Sequence, residues 1–189
     1  MQKIYFNVQL VSKFNPAYIA YGREWRISKS INRHETEVDP SLQRSRDAED
    51  YARAFLGQTI TLSDKTIISF LKRNSRGQLI QFYNEVDAVH SVDKDTVVIF
   101  EVKNSNRKGA FKKGRQQLNN NAEILSLLYK KVFRCLIIVE PIQIEDEPDE
   151  AALSRVDFET IDSGFNLVNL PSEIVSEENV ALIWLKLEA

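Results

Sequence analysis

Two β-rich runs, QLIQFYNEVDAVH (78–90) and TVVIFEVKN (96–104), flank a polar turn at residues 91–95, and this pairing constrains the fold more than any other feature of the chain. Val, Ile, Phe and Tyr at this density favour strands, while Asp, Lys and Ser between them favour a reversal, so the runs are read as an antiparallel hairpin. With the turn centred on Lys94, Ala88 pairs with Phe100 and Asp87 falls across from Glu101. Side chains alternate faces along a strand, so Val97, Ile99, Glu101 and Lys103 share one face and Val98, Phe100 and Val102 the other. In the first run Ile80, Phe82, Val86 and Ala88 oppose Tyr83, Glu85, Asp87 and Val89. Two carboxylates facing each other across a ladder repel unless positive charge lies between them. Lys103 bridging the acids on a solvated face is one solution, and a divalent cation is the other. Val89, Val97 and Ile99 make that face partly apolar, where charges are costly without a purpose, and this favours the cation.

The segments around the hairpin are patterned too. RDAEDYARAFLGQ (46–58) spaces Ala48, Ala52, Phe55 and Leu56 as a helix that ends at Gly57. Residues 59–77 suit a strand or a short helix equally and end at the turn NSRG. From Lys112 to Lys131 a stripe of Leu118, Ala122, Leu125 and Tyr129, with Ile124 and Leu128 beside it, predicts an amphipathic helix. VFRCLIIVE (132–140) reads as a buried strand. The expected fold is therefore α/β: a mixed central β-sheet flanked by helices, in one domain spanning 1–189. Its core covers about 46–140, and 1–45 and 141–189 are extensions with strand-like pieces (KIYFNVQLV, NVALIWLKLE). The stretch IEDEPDEA, with five acids around Pro148, is an acidic loop.

Composition closes several routes. With one cysteine, Cys135, and two histidines, His34 and His90, the usual sulfur and imidazole ligands of structural zinc are missing, so a metal would be held by oxygen. The N-terminus lacks a signal-peptide layout and no apolar run is long enough to span a bilayer, which gives a cytoplasmic expectation with no membrane partner. A net charge of −2 means that any phosphate-binding surface must arise from local clustering. Arg107, Lys108, Lys112, Lys113 and Arg115 form such a cluster, with no acid between Asn104 and Leu118. GAFKKGRQ has the glycine spacing of a phosphate-binding P-loop but lacks its Lys and Ser or Thr. Cys135 reads as a core residue, and His90 as a lone imidazole.

An acid in one strand and Glu-x-Lys in the next, here Asp87 in EVDAV and Glu101 and Lys103 in FEVK, resembles the signature of the PD-(D/E)XK, or restriction-endonuclease-like, nuclease superfamily. EDYARAFL, with Glu49, Ala52, Phe55 and Leu56, is similar to the helix preceding the meander in several of its branches, and GRQQL to the Gln-Leu pair of the following helix. Val86 stands where the nominal motif has proline. The resemblance covers roughly residues 46–140 and implies a core of helix, three strands, helix and strand. It implies a Mg²⁺- or Mn²⁺-dependent nuclease, acting on DNA in repair, restriction or genome defence, in which Asp87, Glu101 and the Val102 carbonyl hold the metal. Lys103 would serve the attacking water and the developing charge, with Glu49 and Gln117 in supporting roles. Gln117 is preferred to Gln116 because it lies at the edge of the buried stripe. For Glu49 the alternative is an exposed acid in the first helical turn. Arg107, Lys108, Lys112, Lys113 and Arg115, on the loop and first helical turn, would contact neighbouring phosphates. A non-catalytic binding module with the same fold, a nuclease subunit that needs a protein partner, and a homodimer are the alternatives carried forward.

Overall fold

The computed structural model describes residues 5–30, 40–104, 108–141, 158–161 and 180–187. In chain order these form β1 (Tyr5–Val11), α1 (Pro16–Ser30), α2 (Pro40–Gly57), β2 (Ile67–Arg73), β3 (Leu79–Glu85), β4 (Ala88–Ser91), β5 (Thr96–Lys103), α3 (Lys108–Leu125), β6 (Lys131–Pro141), β7 (Phe158–Ile161) and β8 (Val180–Leu187). The fold is α/β with two sheets. One is antiparallel, in the order β1-β2-β3, and the other is mixed, in the order β4-β5-β6-β8-β7. The acidic loop lies outside the described residues. Among the described residues, no helix is long and apolar enough to cross a membrane.

The mixed sheet is buried on both faces because β5, β6 and β8 are nearly continuous apolar runs. One face meets α2: Val98, Phe100 and Val102 of β5, Ile137 and Val139 of β6 and Ile183 of β8 pack against Ala48, Ala52 and Leu56. The opposite face meets α3: Val97, Ile99, Leu136, Ile138 and Leu182 pack against Phe111, Leu118, Ile124 and Leu125, and Ile68 and Phe70 of β2 close the same core. α3 is the crossover that lets β6 run parallel to β5. Gly114 brings this helix close, since an ideal Cβ there would stand 2.6 Å from Leu136 Cδ1 and 3.5 Å from Lys103 Cγ.

The β4–β5 hairpin has the expected register, Ala88 with Phe100 through Ser91 with Val97. The first β-rich run, however, is not one strand. β3 pairs with β2 in the three-stranded sheet, β4 pairs with β5 in the other, and the chain breaks at Val86 and Asp87. The break also separates residues expected on one face: Val86 joins the α3-side core and Ala88 the α2-side core. The single central sheet of the sequence reading is therefore two sheets linked by one bent segment. Residues 67–73, ambiguous in sequence, are strand, because β1 and β3 supply partners on both sides. The β2–β3 turn is fixed by Asn74, whose Oδ1 accepts the Arg76 and Gln78 amides at 2.9 Å, with Gly77 at φ 78°.

Both extensions are built into the sheets: β1 lies beside β2, and β8 is inserted between β6 and β7. α1 starts at an Asn15 cap, whose side chain accepts the Ala17 amide at 3.0 Å. It meets the three-stranded sheet where Tyr18 and Tyr21 pack on Tyr83, with ring centroids 5.6 and 5.0 Å apart. α3 differs from expectation at both ends. It begins at Lys108, so the basic cluster is helical from there, and it stops at Leu125, leaving Leu128 exposed. Cys135 is buried in β6, and burial pushes its thiol pKa up. His90 has a partner, with Nδ1 2.9 Å from the Thr61 carbonyl.

Candidate active site

Where the β3–β4 break meets the end of β5, the chain forms an open cleft of about 450 Å³ whose lining includes Glu49, Glu85, Asp87, Glu101, Lys103, Lys113 and Gln117. Each arrives from a different local cause. Glu101 and Lys103 continue the β5 face that carries Val97 and Ile99, so the same alternation that buries the valines delivers the charges to the cleft. Asp87 sits at the break, one residue before β4, and its Oδ2 accepts the Val102 amide at 2.6 Å. Side-chain oxygen takes over there from the ladder. Glu49 lies in the middle of α2 rather than in its first turn, which removes the exposed first-turn reading, and it is partly buried.

The Lys103 ammonium bonds Glu101 Oε1, and it reaches the Val102 carbonyl at 3.2 Å. Glu101 is only 3% exposed, an unusual setting for a carboxylate. Burial and the neighbouring Asp87 charge push its pKa up to about 7, against the opposing pull of Lys103. Asp87 is also raised by burial, with the Val102 amide, Lys103 and Arg53 opposing. Partial burial and the Asp87 charge raise Glu49 and Glu85 as well. Four carboxylates in one cleft thus suppress each other's ionisation, and Lys103 offsets only part of the excess negative charge.

Gln117 lines this cleft with a buried Oε1 that has no hydrogen-bond partner, while Gln116 is exposed on α3. The choice between the two glutamines follows from helical phase: Gln117 is one turn after Gly114, where α3 touches the sheet. Of the basic cluster, Lys113 lines the cleft, Lys112 is exposed and Arg115 is half-buried. Arg107 and the Lys108 side chain lie outside the described residues.

Three neighbours of the site were not singled out by the sequence. Glu85 stands two residues before Asp87 and accepts a hydrogen bond from Tyr18 Oη. Its signal was there in the period-2 pattern, which set it on the face of Asp87. Arg53, one helical turn after Glu49, donates to the Asp87 carbonyl at 2.7 Å. Asn121 of α3 is buried, accepts from Asn84 at 2.9 Å and holds β3 against the helix. Asn121 shares the helical line of Gln117, Ile124 and Leu128 at the edge of the buried stripe, so helical phase marks it, whereas nothing local marks Tyr18, which acts through a contact distant along the chain.

The donors fit a hard divalent cation. They are all oxygen, they are mutually repelling, and an orphaned buried acceptor, Gln117 Oε1, lies among them. Among the described residues no three His, Cys, Asp or Glu side chains form a ready-made metal cage. A half-shell of two carboxylates completed by water and substrate phosphate is the mode that suits Mg²⁺. No family model, no curated protein and no solved structure matches this chain.

Proposed function

We propose that the cleft is the active site of a metal-dependent phosphodiesterase that cleaves nucleic acid, with DNA the first substrate to test, on a restriction-endonuclease-like core. The observation that carries this reading is the meeting of Asp87, Glu101 and Lys103 in one cleft at the end of β5. Element order supports it. α2, then β2, β3, β4 and β5, then α3 and the parallel strand β6 are compatible with helix, three strands, helix and strand when β3 and β4 are taken as one segment bent at Asp87.

Asp87, Glu101 and the Val102 carbonyl would hold Mg²⁺ or Mn²⁺, which supplies positive charge to a scissile phosphate and acidity to a water beside it. The rest is the work of the chain itself. Lys103, fixed between Glu101 and the Val102 carbonyl, places its ammonium beside those oxygens, where it offsets negative charge developing on the phosphate and orients an attacking water. Gln117 offers its free acceptor to a donor in the cleft, either that water or the ammonium. Glu49 accepts from water on the α2 side. Lys112, Lys113 and Arg115 on α3 neutralise phosphates next to the one being cleaved.

The test is incubation of the purified chain with Mg²⁺ or Mn²⁺ and linear, circular, single-stranded and branched DNA, with RNA in parallel. Cleavage that chelation stops and that Lys103→Ala reduces by at least a hundredfold, with substrate binding retained, is the expected result. Cleavage at the same rate by wild type and Lys103→Ala overturns the catalytic role given to this cleft, and no cleavage of any substrate with either metal overturns the assignment of this chain as an enzyme on its own.

A further inference from the structure

The polypeptide leaves one sheet and enters the other at Asp87, and every polar group at such a break needs a partner that the ladders no longer supply. The Val86 amide still reaches back to the Thr66 carbonyl at 2.9 Å, and Ala88 already pairs with Phe100. Between them, the Asp87 carbonyl receives Arg53 Nη1 at 2.7 Å, and Asp87 Oδ2 receives the Val102 amide at 2.6 Å. Two bonds from opposite directions therefore fix this residue, one on its backbone and one on its side chain. Oδ2 is thus bonded to the Val102 amide while the carboxylate lines the cleft.

Taking the cation-site reading of the cleft as its basis, we propose that Arg53 is a positioning residue: by holding the Asp87 carbonyl it sets the strand break that turns the Asp87 carboxylate towards the cleft. A guanidinium suits this task. Its planar fork of N–H donors makes a charge-assisted bond, roughly twice as strong as a neutral one. Its place on α2 is equally specific. Arg53 follows Glu49 by one helical turn, so one face of α2 presents a carboxylate to the cleft and a guanidinium to the backbone of Asp87. The α2 core residues Ala48, Ala52 and Leu56 anchor that face against β5, the strand whose Val102 amide holds the other end of Asp87. Arg53 and Val102 act as two jaws on one residue.

Amide hydrogen exchange at Val102 reads this directly, because that amide's partner is the Asp87 side chain. In Arg53→Met, which keeps the length of the stem but donates nothing, exchange at Val102 is expected to accelerate about tenfold while the amides of Ile137 and Leu182, deep in the same sheet, keep wild-type rates. Arg53→Lys, with a single ammonium nitrogen instead of a planar fork, should fall between. Mn²⁺ titration by calorimetry should show affinity about 10- to 100-fold weaker in Arg53→Met, the usual cost of removing a residue that orients a metal ligand, and partial recovery in Arg53→Lys. Unchanged exchange at Val102, or equal acceleration at all three amides, overturns the positioning role. If wild type itself takes up no Mn²⁺, the cation reading of the cleft fails, and the exchange measurement still decides the part played by Arg53.

Discussion

The two faces of β5 make a controlled comparison within a single strand. Towards α2, Val98, Phe100 and Val102 enter a wholly apolar core. Towards α3, Val97 and Ile99 do the same, but Glu101 and Lys103 carry that face into the cleft. Backbone, register and neighbouring strands are shared, so the difference lies in what the side chains meet. The apolar face supplies stability. The other face spends stability on a carboxylate that is buried, crowded by Asp87 and held by a single lysine. Apolar neighbours on the charged face are what perturb those charges.

The comparison is broken most severely by Phe100→Ala. Phe100 is fully buried, and its loss should cost about 3–5 kcal/mol, seen as a fall in the denaturant midpoint. A loss below about 1 kcal/mol would mean that the α2-side core is not the stabilising face.

Glu101→Gln sharpens the contrast from the other side. A carboxyl whose folded pKa is about 7 against an ordinary 4.5 contributes stability that is fully present below pH 4.5 and lost as pH rises through about 7. The glutamine variant carries no such penalty, so its melting temperature relative to wild type should climb between pH 5 and pH 8. A difference that stays constant across that range overturns the linkage. The same substitution should abolish Mn²⁺ binding. In wild type, cation affinity should increase by about tenfold in all from pH 6 to 8, levelling off above pH 7, because binding displaces the Glu101 proton.

Gly114→Ala probes the seam between helix and charged strand. Its methyl group would meet Leu136 at 2.6 Å, and Leu136 is fully buried, so it has little room to yield. Overpacking of about 1–3 kcal/mol, partly offset by about 1 kcal/mol of better helix propensity, leaves a net loss of about 1 kcal/mol by chemical denaturation. Unaltered or increased stability would show that α3 has slack over Lys103.

The smallest effect belongs to the surface. Lys112→Ala with Lys113→Ala should leave stability within about 0.5 kcal/mol, yet weaken DNA binding and flatten the slope of log affinity against log salt by roughly 0.7–0.9 for each phosphate contact removed. Measured in a Glu101→Ala background, binding is separated from cleavage. An unchanged slope would make these lysines a solvated helix face and nothing more.

Periodicity and turn chemistry in the sequence were enough to determine the β4–β5 register, the two faces of β5, the helices bearing Glu49 and Gln117 and the preference for Gln117 over Gln116. These properties are local: a period of 2 or 3.6 and the place of a polar turn define them before any distant contact forms. Tertiary structure alone decided the break at Val86 and Asp87. The alternation runs through it without a mark, and the chain changes sheets there because β2 claims one side of the bend and β5 the other. It also decided the pairing of β1 with β2, the insertion of β8 beside β6, the tie from Tyr18 to Glu85 and the grip of Arg53 on Asp87. A hydrophobic pattern records which side chains leave water. It carries no record of which backbone carbonyl lacks a ladder partner, or of which arginine, distant along the chain, arrives to supply one.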